Sequence, residues 1–111
     1  MLGLRSFRFL SPERNRQNDE RRVTLIRNVV RAAIADAEAE TRGLRARIVK
    51  ARQSSIFLLQ QIDGDGSQSS YRTELTSLEQ DLRASEKRLA ELQEHIAFLR
   101  NIAAAATRPP Q

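Results

Sequence analysis

Seam positions of a coiled coil recur in two long stretches of this sequence, separated by a short polar segment. Within each stretch the steps alternate between three and four residues, which keeps one stripe of a helix against a partner helix. The first stretch has its seam at Val23, Arg27, Val30, Ile34, Ala37, Thr41, Leu44, Ile48, Ala51, Ser55, Leu58 and Ile62. The second has its seam at Tyr71, Leu75, Leu78, Leu82, Ser85, Leu89, Leu92, Ile96, Leu99, Ala103 and Ala106. The pattern therefore predicts two long α-helices.

The polar segment between the stretches contains Gly64 and Gly66 among aspartates and serines, a composition that breaks a helix and supports a chain reversal. Ser11 and Pro12 form a helix start, and Pro109 stops the second helix. We therefore expect an all-α fold, an antiparallel two-helix coiled-coil hairpin, with dimerisation into a four-helix bundle as a further expectation. The predicted organisation is a flexible or partner-docking segment at 1–11, a helix at 12–62, a loop at 63–69, a helix at 70–106 and a disordered tail at 107–111.

Side-chain sizes favour the antiparallel arrangement. When the two seams are aligned antiparallel, the residue numbers in each facing layer sum to 133, and small residues mostly meet large ones. Ala51 meets Leu82, for example, and Ser85 meets Ile48, as a packed interior requires. Two other arrangements of the same heptads stay open: an intermolecular antiparallel dimer of extended chains, and a single long bent helix.

Charges beside the seam agree with this alignment. In the expected register Arg45 reaches Glu86 and Arg52 reaches Glu79. Glu38 approaches Arg100, and Glu40 faces Arg88. Each such surface pair contributes only ~0.2–1 kcal/mol, so its main effect is to select the register and orientation of the helices.

The composition limits the possible function classes. The chain has 111 residues, of which 30% are charged and 5% aromatic, so one hairpin with a thin core is expected. A thin core predicts self-association, as a homodimer, or a permanent protein partner. There is no cysteine, and no apolar run is long enough for a membrane span or a secretory signal. We therefore expect a cytoplasmic protein.

Positive charge is concentrated in the first half of the chain. Residues 1–52 hold thirteen Lys and Arg against six Asp and Glu, a net +7, whereas residues 53–111 carry a net −2. Attraction between the two arms is one explanation. The other is an anionic partner, a nucleic acid or an anionic membrane surface, and residues 1–10 are the candidate membrane contact. The candidate anion-binding residues are Arg5, Arg8, Arg14, Arg16, Arg21 and Arg22.

Several large apolar residues lie outside the seam, and most of them map to the open end of the expected hairpin. A cluster of this kind usually has a partner. The candidate interface residues are Leu25, Ile26, Val29, Phe98, Ile102 and, near the loop, Phe57. The cluster has three possible occupants: the N-terminal segment with Phe7, Phe9 and Leu10, a second hairpin, or a different protein.

The loop resembles the EF-hand calcium-binding loop over twelve residues. Acidic and hydroxyl side chains occupy the ligand positions of that family, at Asp63, Asp65, Ser67, Ser69, Tyr71 and Glu74. Gln68 stands where the family has glycine, and Ser70 where it has an aliphatic residue. The resemblance implies calcium ligation by Asp63, Asp65, Ser67 and Glu74, against the alternative of a plain polar turn. Otherwise no metal or cofactor is expected.

No catalytic constellation is present in the sequence. His95 is the one histidine, and there is no phosphate-binding glycine loop or dinucleotide fingerprint. We therefore expect a non-enzymatic coiled-coil interaction or scaffolding module without a small-molecule substrate. The alternative is an adaptor that binds nucleic acid or an anionic membrane through its basic N-terminal arm.

Overall fold

Two long helices packed side by side make up the described part of the protein, as the heptad pattern predicts. The computed structural model describes residues 11–64 and 69–107, and these contain no strand. Helix α1 is Pro12–Gly64 and helix α2 is Ser69–Thr107. The two helices run antiparallel as an extended hairpin, 97 × 22 × 14 Å in its principal dimensions.

Local hydrogen bonds mark the helix ends. The backbone amide of Arg14 donates to Ser11 Oγ over 3.5 Å, which caps α1 as expected for serine before a first-turn proline. Helix α1 continues two residues past the end expected at Ile62, and α2 extends one residue further than expected at each end. Thr107 Oγ1 donates to the carbonyl oxygen of Ala104 over 2.8 Å in the last turn of α2. The junction between the helices, residues 65–68, lies outside the described residues.

The seam forms a narrow core. The buried apolar residues are all seam positions of the predicted pattern: Val30, Ala37, Leu44, Ile48, Leu58, Leu92, Ile96 and Leu99. Leu92 is the most deeply buried, with 1% of its surface exposed, and it clusters with Ala37, Leu44 and Ile96. Thr41 is also buried, and its hydroxyl donates to the carbonyl oxygen of Ala37 over 3.0 Å, which avoids an unsatisfied polar group.

The open end of the seam confirms the register. Arg27 Nη2 donates to the carbonyl oxygen of Ala106 over 3.1 Å, and these two residue numbers sum to 133 as the size-matching alignment requires. The guanidinium therefore supplies a donor and a positive charge at the C-terminus of α2, where carbonyl groups lack helical partners. Within the described residues, Arg27 Nε is buried without a hydrogen-bond partner.

Among the described residues, ion pairs flank the seam on both sides, and three of them join the helices. Glu40 accepts two bonds from Arg88, over 2.8 and 3.1 Å, and Glu38 accepts one from Arg100 over 3.2 Å, which confirms both predictions. Arg52, however, pairs with Glu86 over 3.1 Å. The expected pairing of Arg52 with Glu79 was wrong by one heptad.

The error lies in the offset between paired residues. The two pairs found on this side of the seam follow one rule: their residue numbers sum to 138, whereas those of Arg52 and Glu79 sum to 131. Glu38 and Arg100 follow Ala37 and Leu99, and Arg52 and Glu86 follow Ala51 and Ser85. This rule places Gln93 beside Arg45, which leaves Glu86 free for Arg52.

The Glu40–Arg88 pair predicts a pH-dependent contribution to stability. The hydrogen bond from Arg88 lowers the pKa of the Glu40 carboxyl; desolvation opposes this, and the positive charges of Arg88 and His95 reinforce it. A carboxyl whose pKa is lower in the folded than in the unfolded state stabilises the fold above its unfolded pKa, and this contribution disappears as pH falls through the folded pKa. Glu40→Gln should therefore be less stable than the wild type at neutral pH and equal to it in acid.

Urea unfolding followed by circular dichroism at the two pH values measures this difference. Glu94→Gln is the control, because Glu94 is exposed and takes part in none of the ion pairs of the described residues. A Glu40→Gln deficit that persists unchanged in acid would assign the effect to packing rather than to charge.

Candidate protein-interaction surface

Exposed apolar side chains collect at the open end of the hairpin, as the sequence predicts. Leu25 and Ile26 are each 54% exposed, Val29 is 69% exposed and Phe98 is 61% exposed. Ile102 is half-buried. We call these five residues the open-end patch.

The ion pairs show that all of these residues except Leu25 share one side of the seam. Glu40 and Arg88 bond to each other, and each directly precedes a seam residue. Ile26 and Ile102 also directly precede seam residues, Arg27 and Ala103, and therefore lie on the same side. In the same heptad geometry, Val29 and Phe98 lie on the outer part of that side. Both helices thus contribute to one apolar surface.

Phe57 is exposed but does not belong to this patch. It lies on the same side of the seam, 28 residues beyond Val29, which is about 42 Å along α1. Its ring lines a shallow groove near the loop end together with Lys50, Tyr71 and Glu74. The six interface residues predicted from sequence are therefore divided between two places.

A second apolar surface, which the sequence analysis did not single out, lies on the other side of the seam. Val49, Ile56 and Leu59 are each at least half exposed on α1. Each directly follows a seam residue, as Arg52 does, so they share the side of the Arg52–Glu86 pair. The sequence does contain a sign of this surface: Val49 and Ile56 are seven residues apart, so they lie on the same face of α1. We call these three residues the loop-end patch.

Helix α1 is longer than its partner at the open end. The Arg27–Ala106 contact places the end of α2 beside the fifth turn of α1, so the segment 12–26 extends past α2. A groove of about 820 Å³ marks this step, and Val23 lies along it. We call it the step groove; it is lined by Pro12, Asn15, Arg16, Asp19, Glu20, Val23, Thr24, Arg27, Ala106 and Thr107.

The candidate anion-binding arginines on the described part of this extension are all exposed: Arg14, Arg16, Arg21 and Arg22. Two of them have acidic neighbours on the same helix. Arg16 lies 3.5 Å from Glu13, and Arg22 lies 3.2 Å from Asp19. The extension therefore presents mixed charges rather than a continuous basic stripe. Arg5 and Arg8, with the rest of segment 1–10, lie outside the described residues.

The candidate calcium loop falls mostly outside the described residues. This applies to Asp65, to Ser67 and to the side chain of Asp63, whose backbone is in the last turn of α1. Glu74 is exposed on α2. Over the described ranges 11–64 and 69–107, no group of three His, Cys, Asp or Glu side chains is arranged to hold a metal ion. Neither helix, over these same residues, has an apolar stretch long enough to cross a membrane.

Comparisons with known proteins give no match: no family model fits the sequence, and no curated protein or solved structure is significantly similar. Any functional proposal must therefore be argued from the surfaces of the hairpin itself.

Proposed function

We propose that this protein is a non-enzymatic interaction module, a cytoplasmic coiled-coil hairpin that binds a protein partner or a second copy of itself through the open-end patch. One observation carries the proposal: four large apolar side chains from both helices, all more than half exposed, lie at one end of the hairpin. Ile26, Val29 and Phe98 lie on one side of the seam, and Leu25 lies one turn before Val29 on the outer face of α1. Contiguous apolar surface of this kind marks a contact site on soluble proteins.

The narrow core supports the same proposal. Among the residues whose burial is described, only seam positions are buried, and most side chains of helix α2 outside Leu92, Ile96 and Leu99 keep contact with solvent. A thin hairpin gains stability when a partner covers an apolar face, because such a partner binds the folded state and not the unfolded chain. Binding and folding stability are therefore expected to rise together.

Binding of a nucleic acid or an anionic membrane through the basic N-terminal arm has less support. The ion pairs Arg16–Glu13 and Arg22–Asp19 already neutralise two of the four described arginines. Changing Arg14, Arg16, Arg21 and Arg22 to glutamine together tests this alternative. A low-salt mobility shift of a nucleic acid, or flotation with anionic liposomes, that is lost in this variant would favour it over the proposal.

Site-specific photo-crosslinking tests the proposal directly. We expect a photoreactive amino acid that replaces Leu25 to crosslink to a polypeptide partner when the full chain is expressed in the cells it comes from. The same amino acid at Gln80, an exposed position of α2 remote from the patch, is the matched control. The Leu25 adduct should disappear when Phe98→Asp is added to the same chain. Equal adduct yields at Leu25 and Gln80 would contradict the proposal.

A further inference from the structure

We infer that the open-end patch binds the same patch on a second copy of this chain, with the two hairpins antiparallel about a two-fold axis beside Val29. This inference rests on the function proposed above and adds the identity of the partner. In this arrangement α1 lies along α1 of the second copy, and only the open ends overlap. Three features of the described residues support it: charge, side-chain size and the step groove.

The first feature is charge complementarity. Arg22, Val29 and Asp36 are spaced by seven residues and so lie on one face of α1. A two-fold axis at Val29 places Arg22 of each copy opposite Asp36 of the other, which gives two symmetric pairs. Asp36 takes part in none of the ion pairs found within the described residues.

One approach of like charges must be weighed against this gain. The same axis brings Asp19 towards Glu40 of the second copy, because Asp19 lies ten residues before Val29 and Glu40 lies eleven residues after it. Glu40 already has an arginine partner in its own chain, Arg88, at 2.8 Å. Asp19 lies 3.2 Å from Arg22 and shares this arginine with Asp36 of the second copy. The approach of Asp19 to Glu40 therefore offsets part of the gain from the Arg22–Asp36 pairs.

The second feature is the distribution of side-chain sizes about the proposed axis. The bulky Leu25 and Ile26 lie four and three residues before Val29. The small Ala32 and Ala33 lie three and four residues after it. The two-fold axis therefore puts bulky residues of one copy opposite small residues of the other, which is the complementarity that close helix packing requires.

The third feature is the step groove. The seam register places Phe98 beside residue 35 of α1, six residues beyond Val29. The two-fold axis carries this ring to a point beside Val23 of the second copy, six residues before Val29. At that point α2 of the second copy has ended, and the step groove is open. The exposed ring of one copy therefore lies level with the open groove of the other along the helix axis.

The overlap sets the size of the interface. It extends from Pro12 to residue 46, which the axis places opposite Pro12 of the second copy, a length of about 51 Å. A contact one helix wide, about 10 Å, over this length covers on the order of 500 Å² per partner, which is the size of a weak, concentration-dependent interface rather than a permanent one.

Cysteine crosslinking of the otherwise cysteine-free chain tests the position of the axis. Val29→Cys places two thiols beside the axis, so a short bis-maleimide should convert most of the protein to a covalent dimer. Lys50→Cys is the matched control, because Lys50 is exposed on the same face three heptads nearer the loop. We expect it to give only background crosslinking. Equal yields from the two variants would overturn the inference.

Charge reversal tests the orientation. Arg22→Asp or Asp36→Arg alone is expected to raise the dimer dissociation constant about tenfold in sedimentation equilibrium, because each places like charges opposite each other twice. The double variant should return to the wild-type value, with circular dichroism confirming helical structure throughout. Failure of the double variant to recover would exclude the antiparallel arrangement.

The two proposals fail in different ways. If the chain sediments as a single copy at all concentrations while Leu25 still crosslinks to a different polypeptide, the second-copy inference is wrong and the interaction module stands. If the Leu25 and Gln80 crosslinks are equally weak, the interaction module itself fails.

Discussion

Leu92→Ala is expected to cost the hairpin about 2.7–5 kcal/mol of unfolding free energy, the range measured for leucine-to-alanine changes in packed cores. Leu92 is the one fully buried side chain of the described residues, with 1% of its surface exposed. It packs where the core is densest, in the cluster with Ala37, Leu44 and Ile96. Because small domains have only about 5–15 kcal/mol of stability in total, this single change should remove a large part of it.

Urea unfolding followed by circular dichroism at 222 nm measures this loss as a lower midpoint. Leu59→Ala is the matched control, because it makes the same chemical change at a half-exposed position of α1. That change should alter stability by no more than about 0.5 kcal/mol. Similar losses from the two substitutions would mean that the seam is not the main source of stability.

The seam and the hairpin could be predicted from the sequence because heptad spacing constrains every position along both helices. Each buried residue of the core is a predicted seam position, and the Arg27–Ala106 bond fixes the predicted register. Side-chain volume carried this information, since a shift of one heptad would place small residues opposite small ones. The intramolecular hairpin, with Glu40 bonded to Arg88, is the arrangement found.

The ion pairs were harder to predict because exposed charges constrain register weakly. Within the single register that the seam fixes, Arg52 has two glutamates near it on α2, Glu79 and Glu86, one heptad apart, and a surface pair differs little in energy between them. In the structure Arg52 pairs with Glu86. In this hairpin, packing of the seam sets the register of the helices, and the surface ion pairs form within that register.

The surfaces show a different limit of sequence analysis. The open-end patch could be predicted from the sequence because its members are large apolar residues that lie outside the seam and close together on both helices. Val49 and Ile56 were missed because each directly follows a seam residue, so their seven-residue spacing coincides with the heptad spacing of the seam itself. The step groove depends on where α2 ends relative to α1, and that offset appears only when the helix ends and the register are known together.

Phe98→Asp is expected to abolish association while leaving the hairpin folded. Phe98 is 61% exposed, so its replacement removes little from the core and should change the free energy of unfolding of the isolated hairpin by no more than about 0.5 kcal/mol. At an interface, loss of a central aromatic side chain typically costs about 2 kcal/mol or more, and burial of an unpaired carboxylate adds to this. Affinity should therefore fall by at least about thirtyfold.

Ile56→Asp separates this effect from a general response to added charge. Ile56 is 58% exposed, nearly the same as Phe98, but it belongs to the loop-end patch on the other side of the seam. Sedimentation equilibrium should give the single-chain mass for Phe98→Asp and the wild-type mass for Ile56→Asp, with equal helical circular dichroism. The reverse result would transfer the interface to the loop-end patch. Association retained by both variants would place the contact on neither apolar surface, since a carboxylate cannot be buried there without loss of affinity.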